Sequence, residues 1–156
     1  MPLRYIELMD YYSRELPPTP WVDSVGVPWA PLAKPLAECT VMMLASAGVR
    51  RKTEPPFQPA NDLTFRLIES SADPADLAPS HPAPIRRPGE ADINVVFPVE
   101  RLRELRDARL FRALTPHHVS ILGPIRKFRE LHYELAPAIA AQARAEGADL
   151  VLLVPL

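Results

Sequence analysis

The sequence predicts an α/β fold: a layered domain with a mainly parallel sheet, flanking helices, and a buried strand at its end. Two observations carry this. Short apolar runs, "CTVMMLASAGV" (39–49), "INVVFP" (93–98) and "DLVLLVP" (149–155), alternate with segments of helical spacing. The connections between them are short and marked by Gly or Pro, as in strand–helix–strand units.

Taken in order, Tyr5, Leu8, Met9, Tyr12 and Leu16 recur at helical spacing, so residues 3–16 read as an amphipathic helix stopped by Pro17. Residues 39–49 read as a buried strand running into a turn at Gly48. "LTFRLIES" (63–70) alternates weakly and reads as a shorter strand near an edge, and 93–98 as a strand closed by Pro98. Residues 99–107 form a helix with Leu102 and Leu105 inward; "HVSIL" (118–122) is a strand before Gly123-Pro124. Residues 125–146 are helical, with a kink or restart at Pro137, which lacks an N–H. Gly147 suits a helix C-cap. The run Leu150–Val154 that follows has no polar residue, the pattern of a strand buried on both faces.

The totals bound the rest. The chain has 156 residues, 47% hydrophobic and 24% charged, with a formal net charge of -1, so bulk electrostatics give no reason to expect nucleic acid or an acidic membrane as partner. The single cysteine excludes an internal disulfide framework, and no signal peptide or membrane span is legible, so a cytoplasmic location is expected. The 20 prolines cluster in connectors and divide the chain into pieces without a domain boundary; the expected organisation is an amino-terminal helix and Pro-rich arm (1–38) and an α/β domain (39–156).

The sequence carries few standard chemical motifs. Five glycines build no phosphate loop, there is no G-x-S-x-G elbow, and four histidines do not fall at zinc-ligand spacing with Cys39, so no metal is expected. Cys39 reads as a small buried hydrophobe. Glu100, Glu104 and Asp107 share a helix with three arginines and read as a solvated face.

The order of segments is more informative. "VPWAPLAKPLAECTVMMLASAGVRRKTEPPF", "NDLTFRLIE", "SH" followed after ten residues by "DINVVFP", "ERLREL" and "HVSILG" together resemble the glycine/sarcosine/betaine/D-proline reductase selenoprotein B family over residues 27–156. The resemblance implies reductive cleavage of a C–N bond by selenol or thiol chemistry. It also implies a selenocysteine, or a cysteine, followed within three residues by a cysteine, directly after the strand equivalent to "DLVLLVP". That position lies downstream of Leu156, so the chain as written would be the amino-terminal portion, inactive alone, with no cofactor of its own. A partner reductase subunit, one carrying a pyruvoyl group, a dithiol electron donor and a small amine or amino-acid substrate are the implied partners.

Five residues match family motifs. His118 and His81 are the candidate catalytic groups, His118 as proton donor to a leaving amine. Arg66, Asp92 and Asn94 are candidate substrate contacts, against plainer uses: ion pairing for Arg66 and turn chemistry for Asp92. After Ser80-His81 the family continues with glycines, a tyrosine and an aspartate, whereas this chain reads "PAPIRRPG". Two other readings fit the same sequence: a non-catalytic partner chain of an oxidoreductase complex, and a cysteine-based thiol oxidoreductase of the same fold.

Overall fold

β1 (Thr40–Ala45) is the axis of the molecule, and every other parallel strand pairs with it. The computed structural model describes residues 30–84 and 86–156; the helix expected at 3–16 lies outside them. Residues 32–156 form one compact unit. On one side β1 meets β5 (Ala113–Leu114) and then β6 (His117–Ser120), and on the other β7 (Leu150–Val154), all in parallel. β3 (Arg66–Glu69) closes the β6 side antiparallel, giving the mostly parallel mixed sheet of an α/β fold. A separate two-stranded ladder joins β2 (Arg50–Arg51) to β4 (Leu77–Ala78).

Alternation along β1 sends its side chains into two cores. Val41, Met43 and Ala45 face a layer built from Ile93, Val96, Phe97, Val99, Leu102 and Phe111. Met42 faces Leu135, Ile139 and Ala143. The first layer includes α1 (Arg86–Ala91) and α2 (Val99–Asp107), the latter at the bounds its leucine spacing predicts. Its neighbour differs from expectation. Residues Ile93–Val95 form a 3₁₀ turn, not a strand. Asp92 decides this, since its carboxylate accepts the Asn94 N–H at 2.9 Å and caps the turn. Short apolar runs do not by themselves separate strand from helix.

The second layer is one long helical segment: α3 (Phe128–Glu130), a π-helical stretch Leu131–Leu135, and α4 (Ala136–Ala145). Pro137 explains the irregularity. It has no N–H for the ordinary four-residue bond, and the wider π turns lie immediately before it. Gly147 then ends α4 with φ 71°, a left-handed cap. Asp149 ties the entries of two strands together, accepting the Thr40 N–H at 2.8 Å and pairing with Lys34 at 2.8 Å.

β7 is less enclosed than its composition suggests. Leu150 and Val154 pack on one core and Val151 on the other, but Leu152 is 40% and Leu153 65% exposed. The reason is topological: among the described residues β7 pairs only with β1, so it is an edge strand.

Candidate functional site

In an open parallel sheet the place where loops converge is the carboxyl end of the strands. Here that end is formed by Ser46 after β1, Ile121–Gly123 after β6 and Pro155-Leu156 after β7. Ser46 joins all three. Its N–H donates to the Val154 carbonyl at 3.1 Å, its carbonyl accepts the Gly123 N–H at 3.0 Å, and its Oγ accepts the Leu156 N–H at 2.9 Å. A small hydroxyl residue is what fits there, and "ASAG" (45–48) is the sequence signal that sequence reasoning passed over.

His81 is brought to the same place by the segment after β4. The Ser80 and His81 N–H groups both bond the Ala47 carbonyl, at 3.3 and 3.1 Å. A methyl carbon placed on Gly123 would lie 3.8 Å from His81 Nε2 and 3.9 Å from Ser46 Cβ, so the three groups surround one small gap. His81 is 8% exposed, and burial lowers its pKa below the ordinary histidine value. Its Nδ1 accepts the Ala83 N–H at 3.2 Å, which places the proton of the neutral ring on Nε2. Chemically, His81 is therefore a neutral ring presenting an N–H donor beside Gly123 and Ser46.

His118 occupies a different place. It sits on β6 opposite Ile68, fully buried, under the edge of the Phe97 ring at 6.1 Å. Between Leu114 and Val119 the β5–β6 strand spans the same stretch of β1 as Val41 to Leu44, so Thr115-Pro116 is accommodated as a bulge. That leaves the Met43 N–H opposite no carbonyl, and His118 Nδ1 accepts it at 3.1 Å. Burial, with a smaller contribution from the Arg103 cation, pushes the His118 pKa down to about 4. Among the described residues its Nε2 has no hydrogen-bond partner. His118 precedes Ser120 by two residues, so it lies about 7 Å back from the strand ends.

The other three expected contacts are engaged elsewhere. The Arg66 guanidinium stacks on Phe57, 4.1 Å from the ring centroid, and meets Glu54 at 3.4 Å. Asp92 holds the Asn94 N–H and side-chain amide, and Asn94 in turn bonds Glu100 through both its amide (2.6 Å) and its carbonyl (3.1 Å). Both thus serve the turn into α2 and do not join His81. Arg66 stands opposite Ser120 in the β3–β6 ladder, one strand away from Ser46. Among the described residues no group of three metal-ligating side chains converges, and no helix is long and apolar enough to cross a membrane.

No family model matches the chain, and no solved structure matches it significantly. Among curated proteins, D-proline reductase subunit gamma of Acetoanaerobium sticklandii is 34% identical over 125 residues, covering 80% of this chain and 52% of the relative. The chain thus spans about half the length of that relative.

Proposed function

We propose that this chain forms the amino-terminal α/β portion of a D-proline reductase-like subunit, within a multi-subunit reductase, and that its working end is the Ser46–His81–Gly123 gap. The single observation that carries the reading is the similarity to D-proline reductase subunit gamma, extending over 80% of the chain. The gap adds a location, since it lies at the carboxyl ends of three parallel strands.

The chemistry follows from the resemblance. A selenol or thiol paired with a cysteine, expected just after the segment equivalent to "DLVLLVP", supplies a nucleophile that a dithiol can restore by exchange. In the overall reaction a C–N bond breaks, carbon and nitrogen each gain a hydrogen, and the dithiol gives two electrons and becomes a disulfide. A partner subunit carrying a pyruvoyl group would activate the amine. This chain's residues have simpler tasks. Ser46 fixes the backbone at Leu156 beside the gap. His81 offers its Nε2–H to negative charge arising there, and its burial keeps water from competing.

The test uses the product of the complete gene, assembled with its partner subunits. Dithiol-dependent reduction of D-proline or another small cyclic or secondary amine is expected. His81→Ala should lower turnover about 100-fold when measured well below the variant's Tm, where the chain remains folded. Absence of any reducible selenol or thiol pair in that product, together with no dithiol-dependent amine reduction, rules the reading out.

A further inference from the structure

We infer that the outer edge of β7 is a seam, completed in the working protein by a strand from the half of the reductase subunit that this chain does not span. The inference rests on kinship to the reductase subunit and is independent of the redox chemistry proposed above.

Among the described residues the edge is open in both senses that matter. Val154 accepts the Ser46 N–H through its carbonyl, so by alternation the backbone groups of Leu150, Leu152 and Val154 point to β1. Those of Val151 and Leu153 point the other way, and no described strand meets them. The side chains agree with the backbone. Leu152 lies on one face and Leu153 on the other, 40% and 65% exposed, while their neighbours toward β1 are packed.

Edge strands that stay solvated are protected by charges, prolines, bulges or shortness. β7 reads Leu-Val-Leu-Leu-Val over five paired residues, with no charge, proline or bulge within it. A strand apolar on both faces belongs inside a sheet with cover above and below. The occupant must therefore bring a strand and its own apolar layers. A polypeptide of that kind and size is what the comparison leaves over: D-proline reductase subunit gamma has about as much chain outside the match as inside it. A second copy of this chain would supply a strand with no additional cover for Leu152 and Leu153.

A photo-cross-linking residue placed at Leu153 in the native gene tests this in the natural host. The site is exposed, so folding is preserved, and a Leu153→Lys variant provides the matched control for assembly. The expected cross-link joins Leu153 to polypeptide that aligns with the unmatched half of the relative, carried on the same chain or on another. Hydrogen exchange at the Val151 and Leu153 amides should then be at least about 100-fold slower in the native assembly than in the recombinant 156-residue chain. Leu153→Lys should lower recovery of that assembly without unfolding the chain. A cross-link to a second copy of this chain, a cross-link to a protein unrelated to the relative, or equal exchange in both preparations overturns the inference.

Discussion

His118 Nδ1 accepts the Met43 N–H at 3.1 Å, and this one bond repairs the ladder where the Thr115-Pro116 bulge separates β5 from β6. The imidazole therefore stands in for a backbone carbonyl at the centre of the sheet. Removing it leaves a buried N–H without an acceptor and a cavity beneath Phe97. His118→Ala is expected to destabilise the fold by about 3 kcal/mol, combining a lost buried hydrogen bond with lost packing. Urea unfolding of the two proteins measures this directly. A loss below about 0.5 kcal/mol would show that the bond does not hold the strands.

The same residue makes stability depend on pH. The His118 pKa falls from 6.5 to about 4 on folding, so between those values the unfolded chain binds the proton more readily than the folded one. Its contribution is complete above about pH 6.5 and is lost as pH falls through about 4, amounting to roughly 3 kcal/mol. His81 acts in the same direction through its own burial. Denaturation midpoints taken at pH 7, 5.5 and 4.5 should decline steadily, and His118→Leu should flatten most of that slope. An unchanged slope in the variant would place the pH dependence in other groups.

Much of the fold was legible because hydrophobic runs and proline chemistry are local signals. α2 appears at its predicted bounds, β1, β3 and β7 lie within the predicted segments, β6 overlaps its own but begins one residue earlier, and the helix departs from α geometry just before Pro137. The failures came from relations that are not local. Residues 93–98 carry a strand-like composition, and a cap from Asp92 bends their first three residues into a 3₁₀ turn. β7 has an interior composition but an edge position, which depends on strand order. The place of His118 was equally hidden, because the bulge that directs its ring to Met43 requires the pairing register of β1 to be known. His81 and Ser46 lie 35 residues apart in sequence and meet only because the segment after β4 bonds the Ala47 carbonyl.

Two glycines near the working end should respond in opposite ways to the same substitution. Gly48 has φ 63°, and an added Cβ would sit 2.7 Å from Leu122 Cδ1 and 3.3 Å from Ser80 Cβ. Gly48→Ala meets both backbone strain and a steric clash, for a cost of about 2 kcal/mol or more. Gly123 has no positive φ, and its added Cβ would meet His81 Nε2 and the Ser46 carbonyl at 3.8 Å, ordinary contact. Gly123→Ala should leave the melting temperature within a few degrees while filling the gap beside His81. Thermal melts of the two variants decide the matter, and equal losses would mean that the gap is already closed to a methyl group.

Ser46 offers a sharper probe, because its backbone and side chain do different jobs. The backbone bonds to Val154 and Gly123 survive any substitution that keeps the strand conformation. The Oγ bond to the Leu156 N–H does not. Ser46→Ala should therefore cost only about 1 kcal/mol, the net worth of a partly exposed hydrogen bond, while exchange of the Leu156 amide rises toward that of an open chain. Amides of Met42 and Leu44, inside β1 and paired with β7, should keep their protection. If Leu156 exchanges no faster in the variant, Ser46 is not what anchors the backbone beside His81. If β1 loses protection as well, the hydroxyl is holding the sheet together, and the gap is a by-product of folding rather than a place prepared for chemistry.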